Sequence, residues 1–223
     1  MLSLENVAYR YKQGDRDVLS GVTCAFENGF LHAVVGPSGS GKSTLLAIIS
    51  GLDSPAAGKV TIDGADLSEL DVDRYRREQV SMIFQAFQLF PLFTALENVV
   101  YPMELNGVPI TEAKTKAAEL LSSVDITAEK CNRYPSQLSG GEQQRVAVAR
   151  ALASGARTLL ADEPTGNLDV ANGTVVMDIL RNLAHNYGYC VIVVTHDSEI
   201  ADASDVVFKM TDGILTKMER KSD

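Results

Sequence analysis

Cysteine is scarce in this sequence of 223 residues. The three cysteines, Cys24, Cys131 and Cys190, are odd in number and far apart, and none stands in a Cys-x-x-Cys or Cys/His spacing. Because disulfide frameworks and zinc sites need paired or closely spaced ligands, the sequence argues against both kinds of site. A reducing compartment is therefore expected, and the cytoplasm fits best.

Positive charge is also in short supply. Twenty Lys and Arg face twenty-nine Asp and Glu, which leaves a formal net charge of −9. Broad contact with the phosphate backbones of nucleic acids requires the opposite balance. No nucleic-acid partner is therefore expected, although the sequence leaves open a local basic cluster at Arg74, Arg76 and Arg77.

Long apolar runs are missing too. The longest stretch without Asp, Glu, Lys or Arg covers residues 79–96, and several polar residues and a proline interrupt it. A membrane-spanning helix needs about 20 predominantly apolar residues. No direct membrane insertion is expected, so a path across a membrane would lie on another chain. Residues 2–9 alternate like a strand directly after Met1, and no signal peptide is expected.

Hydrophobic residues make up 45% of the chain, enough for the core of one domain. Apolar patterns predict strands at residues 2–9, 22–27, 31–35, 59–62, 80–84, 158–161 and 190–195. They predict helices at residues 42–50, 94–105, 111–124, 140–153 and 172–186. The near-continuous apolar strands separated by helices are typical of a parallel sheet, and the middle helices indicate an inserted helical lobe.

A phosphate-binding loop is predicted between a strand and a helix. The run fits the pattern G-x-x-x-x-G-K-[ST] and reads Gly36-Pro37-Ser38-Gly39-Ser40-Gly41-Lys42-Ser43. Its glycines let backbone N–H groups turn toward phosphate oxygens, Lys42 reaches the terminal phosphates, and Ser43 supplies a hydroxyl for Mg²⁺. A Gly/Ser-rich turn that caps a helix is the alternative, but it does not explain the lysine and hydroxyls in this order.

Two adjacent carboxylates, Asp162 and Glu163, follow the apolar strand at residues 158–161. The carboxyl ends of strands are where ligands collect in α/β sheets. Asp162 is predicted to hold Mg²⁺, commonly through water, and Glu163 to polarise or deprotonate the attacking water. A solvated strand end is the alternative, and it is common for one carboxylate alone.

A phosphate-binding loop and an acidic strand end occur in many unrelated classes of nucleotide hydrolase, and a sequence in the middle of the chain indicates which class this is. The decisive run is Leu138-Ser139-Gly140-Gly141-Glu142-Gln143-Gln144-Arg145. Ser139 and Glu142 alone predict a capping box at a helix start, which does not explain the paired glycines. The run resembles the signature sequence of the ABC ATPases. The resemblance spans nearly the whole chain, since Gln85, the segment Asn167-Leu168-Asp169 and His196 follow in the family's order.

This resemblance implies a fold and a site. The fold is an α/β P-loop NTPase (RecA-like) core, residues 1–85 and 155–223 of a single domain, with an antiparallel N-terminal β-subdomain and an inserted α-helical subdomain at residues 86–154. Gln85 would link Mg²⁺ and the attacking water to this helical subdomain, Asp169 would belong to a dimer-contacting loop, and His196 would touch the γ-phosphate. Tyr11 would stack on adenine, unless it is only a strand-edge tyrosine. Thr44 and Gln143 would also contact the nucleotide.

The resemblance also implies partners. Two copies would pair head to tail, with each ATP between the phosphate loop of one chain and Ser139, Gly140 and Gly141 of the other. A separate transmembrane permease would hold the dimer at the inner face of the cell membrane. The runs at residues 84–91, 96–99 and 163–169 resemble the macrolide-exporter and lipoprotein-release group.

Five apolar residues near the start of the helical lobe could form a groove that receives a cytoplasmic helix of such a permease. The alternative, expected for about half of them, is packing inside the lobe. We call this group the apolar cluster, and its members are Phe87, Leu89, Phe90, Leu92 and Phe93.

Three other functions are alternatives to the ATPase subunit of a transporter. An ABC ATPase could signal across the membrane without transport, for example during cell division. A nucleic-acid ABC ATPase usually has two ATPase units or a long coiled-coil insertion, whereas fewer than a hundred residues separate Ser43 from Leu138 here. A nucleotide kinase or GTPase would not explain residues 138–145, and the chain has no Asn-Lys-x-Asp sequence to read guanine.

Overall fold

Two β-sheets and seven helices build the described part of the chain, residues 1–11 and 16–219 of a computed structural model. The strands are β1 Leu2–Tyr9, β2 Leu19–Phe26, β3 Leu31–Val35, β4 Ala57–Ile62, β5 Ala65–Asp66, β6 Val80–Phe84, β7 Thr158–Asp162, β8 Cys190–Thr195, β9 Val206–Thr211 and β10 Ile214–Lys217. The helices are α1 Lys42–Ile49, α2 Val72–Glu78, α3 Ala95–Leu105, α4 Ile110–Ser123, α5 Gly140–Ala153, α6 Val170–Tyr187 and α7 Ser198–Asp202.

The smaller sheet is antiparallel and has the strand order β2-β1-β4-β5. Leu2, Leu4 and Val7 of β1 point into the core, as expected for a sheet with one solvated face. The alternation shifts by one residue between Leu4 and Val7, where the pairing with β2 is irregular. These side chains belong to the same hydrophobic core as Leu45 and Ile49 of α1. The antiparallel sheet therefore packs against α1, the helix that follows the phosphate-binding loop.

The larger sheet has the order β10-β9-β3-β8-β7-β6 and is parallel except for the pairing of β10 with β9. All six residues of β8 are buried, which explains its unbroken apolar sequence. Because carboxyl ends of parallel strands meet at one edge, the residues that follow β3, β6, β7 and β8 gather there. This edge positions the candidate site.

Three helices, α3, α4 and α5, are inserted between β6 and β7. Capping boxes begin two of them, through Thr94 and Glu97 for α3 and through Ser139 and Glu142 for α5. Apolar residues of the insert, such as Val148, share a core with Ile83 of the sheet. The α/β fold class with its antiparallel sheet and helical insert is thus confirmed, whereas the boundaries at residues 86 and 154 remain a prediction.

Several elements differ from the sequence prediction. Strand β2 begins at Leu19 and not at residue 22, because Leu19 pairs with Tyr9 of β1 beyond a register shift at Gly21, whose φ is 66°. Helix α6 runs from Val170 to Tyr187, longer than predicted at both ends. The elements α2, α7, β5, β9 and β10 were not predicted. Among the described residues, no helix combines the length and apolar character that crossing a bilayer requires.

Candidate nucleotide site

The phosphate-binding loop connects β3 to the start of α1. Gly41 caps the helix with φ 107°, a backbone conformation that only glycine adopts readily. The Lys42 ammonium donates to the carbonyl oxygens of Gly36 at 2.8 Å and Pro37 at 3.0 Å, and the residue is 9% exposed. These acceptors are neutral, so the lysine charge is available for an anion at the helix N-terminus.

A cleft of about 850 Å³ opens beside this loop. Its lining residues are Tyr11, Val18, Ser38, Gly39, Gly41, Lys42, Ser43, Thr44, Gln85, Asp162, Glu163 and His196. Eleven of these twelve were predicted as site residues from the sequence, and Val18 was not. Val18 lies just before β2, and its N–H bonds the carbonyl of Tyr9, the last residue of β1, at 2.8 Å. A valine in a short polar segment gave no sequence signal of its own.

Asp162 ends β7 opposite Ser43, and the Ser43 hydroxyl hydrogen-bonds its carboxylate. Burial raises the pKa of Asp162 above its usual value, and the nearby Glu163 carboxylate adds to this, while the Ser43 bond and the Lys42 charge oppose the rise. A carboxylate that is costly to ionise gains from a cation beside it. The hydroxyl of Ser43, the carboxylate of Asp162 and the side-chain oxygen of Gln85 are hard oxygen donors of the kind that Mg²⁺ prefers.

Glu163 has an unusual backbone for a residue other than glycine, with φ 46°. Its N–H bonds the Val194 carbonyl at 2.9 Å, which fixes the turn after β7. The Thr195 hydroxyl donates to Oε2 at 3.0 Å, and His196 Nδ1 lies 2.9 Å from Oε1. Both carboxylate oxygens are therefore held by neighbours at the end of β8. Thr195 was missed in the sequence, although its place directly before His196 could have indicated it.

The pairing of His196 with Glu163 predicts a pH dependence. The hydrogen bond and the charge of Glu163 raise the pKa of His196 above its usual 6.5. Since the folded protein favours the protonated ring, this pair stabilises the fold fully below about pH 6.5, and the stabilisation is lost as the pH rises through the raised pKa. The effect on stability is small, because 72% of the His196 side chain is exposed.

An NMR titration of the imidazole rings would measure this pKa directly, since the chain has only three histidines. We expect a midpoint for His196 above 6.5 in the nucleotide-free protein. The Glu163→Gln variant removes the charge and is expected to lower that midpoint. A midpoint that does not respond to the substitution would contradict the pairing.

Gln85 and Tyr11 both line the cleft. Gln85 Nε2 is 3.5 Å from Asn167 Oδ1, and Asn167 Nδ2 donates to the Gln85 carbonyl at 2.9 Å. The loop after β6 is thereby tied to the loop after the acidic pair. The Tyr11 hydroxyl lies 3.0 Å from Thr44 Oγ1, and its ring, 52% exposed, meets Tyr9 edge-on. Its position suits the predicted stacking on a base, which remains a prediction.

Some predicted residues do not line the cleft. Gly36 and Ser40 belong to the loop but do not line the cleft; Gly36 is half-buried and Ser40 is only 5% exposed. The signature residues Ser139, Gly140, Gly141 and Gln143 lie elsewhere, at the N-terminal end of α5. There Ser139 Oγ accepts from Glu142 N at 3.3 Å, and Gln143 Nε2 donates to the Leu138 carbonyl at 3.1 Å. One chain alone does not bring the signature to its own phosphate loop.

Comparisons with known proteins agree with this geometry. The model of the ABC transporter family matches residues 19–166. The lipoprotein-releasing system ATP-binding protein of Paramagnetospirillum magneticum is 43% identical over 97% of this chain and 98% of its own length. The macrolide export ATP-binding/permease protein of Brucella melitensis is 41% identical over the whole chain, but the chain spans only 35% of that protein's length.

Solved structures are similar as well. The bacterial ABC transporter cassette MJ0796, determined as a dimer, superposes with a TM-score of 0.88 at 39% identity, covering 99% of this chain and all of that one. The same cassette is known in a post-hydrolysis state bound to ADP and phosphate. The chain therefore belongs to the ABC transporter family, as an ATP-hydrolysing subunit that uses ATP and Mg²⁺.

Proposed function

We propose that this chain works as a head-to-tail homodimer that hydrolyses ATP to drive a separate transmembrane permease. One observation carries the proposal. The cleft gathers the phosphate loop, the acidic pair, Gln85 and His196, while Ser139 and Gly140 stand on a different part of the same chain. A second copy placed head to tail would supply the missing signature to each cleft.

The residues of the cleft have distinct proposed roles. Lys42 binds the terminal phosphates of ATP, together with backbone N–H groups of the loop and the N-terminus of α1. Ser43, Asp162 and Gln85 hold Mg²⁺, which neutralises phosphate charge when it is bound. Tyr11 stacks on the adenine. The partner's signature segment adds the positive end of its own helix to the γ-phosphate.

Glu163 is the proposed base. Thr195 and His196 hold its two oxygens, so the carboxylate faces the cleft in a fixed orientation. In that orientation it can accept a proton from a water that attacks the γ-phosphate. His196 pairs with Glu163, and contact of its ring with the γ-phosphate would free the Oε1 atom of the carboxylate for the water. The products are ADP and phosphate.

The apolar cluster is the proposed contact with the permease. None of its five residues is fully buried: Phe87, Leu89 and Phe93 are half-buried, whereas Phe90 is 41% and Leu92 85% exposed. The Phe90 and Phe93 rings pack together with centroids 5.2 Å apart. Exposed apolar side chains held in one place generally mark an interface.

The fully buried side chain of Asn98 fixes this segment. It accepts from Phe90 N–H at 2.8 Å and donates to the carbonyls of Phe90, Phe93 and Thr94 at 3.0 to 3.2 Å. The segment begins just after Gln85 in the chain. An apolar helix of the permease docked on the cluster could therefore respond to events at the cleft through Gln85.

Similarity to the lipoprotein-release and macrolide-export proteins supports export, or extraction from the membrane, as the direction of transport. A permease partner would keep the chain at the inner face of the membrane. The test is to capture tagged Glu163→Gln protein from detergent-solubilised membranes with ATP and Mg²⁺ and identify what accompanies it. A protein with several membrane spans supports the proposal. Nucleic acid, ribosomes or no membrane protein would contradict it.

Variants of the capture locate the contact. Leu92→Glu places a charge in the apolar cluster and is expected to abolish co-purification of the permease. Leu52→Glu is the matched control, since Leu52 is also exposed (59%) but follows α1, outside the cluster. Both exposed positions should leave the melting temperature nearly unchanged. Equal loss in the two variants would argue against the apolar cluster as the docking surface.

A further inference from the structure

Gly141 touches the first turn of α6. A Cβ atom added at Gly141 would lie 2.9 Å from the Asn172 Cβ and closer still to its Cγ and Oδ1. Contacts this short require a neighbour to move. Gly140 differs, because an added Cβ there would meet nothing nearer than the side chains of Leu168 and Phe87 at 3.7 Å, an ordinary contact. Within one chain, therefore, position 141 excludes a side chain and position 140 does not.

Asn172 also connects the two segments by hydrogen bonds. Its N–H and Nδ2 donate to the Asp169 carboxylate at 2.8 to 3.0 Å, which closes the N-terminal end of α6. Its Oδ1 lies 3.4 Å from Arg145 Nη1. Gly141 and Arg145 are four residues apart in α5, so both are on the helix face that meets Asn172. The half-buried amide thus lies between the signature helix and the loop that ends at Asp169.

We propose that Asn172 is a positioning residue that joins the signature segment, residues 139–141, to the loop at residues 166–169 of the same chain. In this account Gly141 must be glycine because Asn172 occupies the space of its Cβ, in addition to any need for close approach by a nucleotide. The proposal rests on the proposed function, in which both segments face the partner chain. The joint presents them at one fixed spacing when two chains close around ATP.

The test measures ATP-dependent dimerisation in the Glu163→Gln background, where bound ATP is expected to persist. Gly141→Ala should weaken dimerisation about tenfold, which lies within the range of coupling energies between residues in contact. Adding Asn172→Gly removes all three atoms that overlap the new methyl group, so the double variant should dimerise about as well as Asn172→Gly alone. Asn172→Ala keeps the Cβ and should recover less. Asn172→Gly alone is the reference, and it should itself weaken dimerisation, because it removes the contacts that join the two segments and places a glycine in α6.

Gly140→Ala is the matched control. Any loss of dimerisation in that variant would come from the nucleotide or the partner, so Asn172→Gly should not repair it. If Gly141→Ala dimerises normally, or if its defect is the same with and without Asn172→Gly, the proposal is overturned. If Gly141→Ala is too unstable for the dimerisation assay, the melting temperatures of the same variants are compared instead. The loss caused by Gly141→Ala is again expected to be smaller when Asn172→Gly is present.

This design separates the inference from the proposed function. If the Glu163→Gln parent binds ATP without dimerising, the head-to-tail proposal fails, while the melting temperatures still test whether Asn172 excludes a side chain at position 141. If the parent dimerises and the repair by Asn172→Gly is absent, only the inference fails.

Discussion

Replacing Glu163 by Gln is expected to lower the rate of ATP hydrolysis about 10²- to 10⁴-fold, the usual contribution of a general base, while ATP binding persists. The amide has the same shape as the carboxylate and can still accept from Thr195 and contact His196. It cannot take a proton from the attacking water. The loss should therefore appear in kcat and not in the dissociation constant for ATP.

Release of phosphate and equilibrium binding of ATP, measured on the same preparation, check this prediction. Glu129→Gln is a suitable control, because it makes the same chemical change at an exposed residue that is ion-paired with Arg133, outside the cleft. A Glu163→Gln protein that hydrolyses ATP at the original rate would remove Glu163 from the mechanism.

Replacing Lys42 by Ala should weaken ATP binding itself. Hydrogen bonds to charged groups contribute about 1.5 to 3 kcal/mol each, so the dissociation constant should rise by about one to two orders of magnitude. Lys42 donates to backbone carbonyls of its own loop and forms no salt bridge with the residues that the structure describes, so its removal breaks no such ion pair. The fold should therefore survive the substitution.

Equilibrium dialysis with ATP and Mg²⁺ measures this effect, with a thermal melt to confirm folding. Lys59→Ala is the control, since it removes the same charge from an exposed strand residue paired with Glu5. Unchanged affinity in Lys42→Ala would mean that the loop does not bind the phosphates as proposed.

Elements and site residues were predicted most accurately from the sequence where local sequence preferences and tertiary packing favour the same structure. Helix α5 was predicted with its observed bounds, because Ser139 and Glu142 form the capping box that begins it. The same agreement located β3, whose apolar run leads directly into the phosphate-binding loop. Ten of the eleven predicted cleft residues followed from motifs at the carboxyl ends of strands that the parallel sheet brings together, and Tyr11, which follows β1 of the antiparallel sheet, is the exception.

Other features depended on contacts that no short pattern reveals. Strands β9 and β10 were missed, although Asp212 and Gly213 between them are a turn signal, because β9 owes its place to parallel pairing with β3. The roles of Thr195 and Asn172 arise only when distant segments meet. Ser139 to Gly141 were predicted to contact the ATP of a partner chain, and they lie outside the cleft of their own chain. Their contact with the partner's ATP stays a prediction.

The most direct test of the central claim is the mass of the Glu163→Gln protein with and without ATP and Mg²⁺, by analytical ultracentrifugation. We predict a monomer that becomes a dimer holding two ATP molecules, and a Ser139→Arg change that prevents the dimer while each monomer still binds ATP. A protein that binds ATP fully but stays monomeric, or a Ser139→Arg variant that dimerises normally, would contradict the shared head-to-tail site.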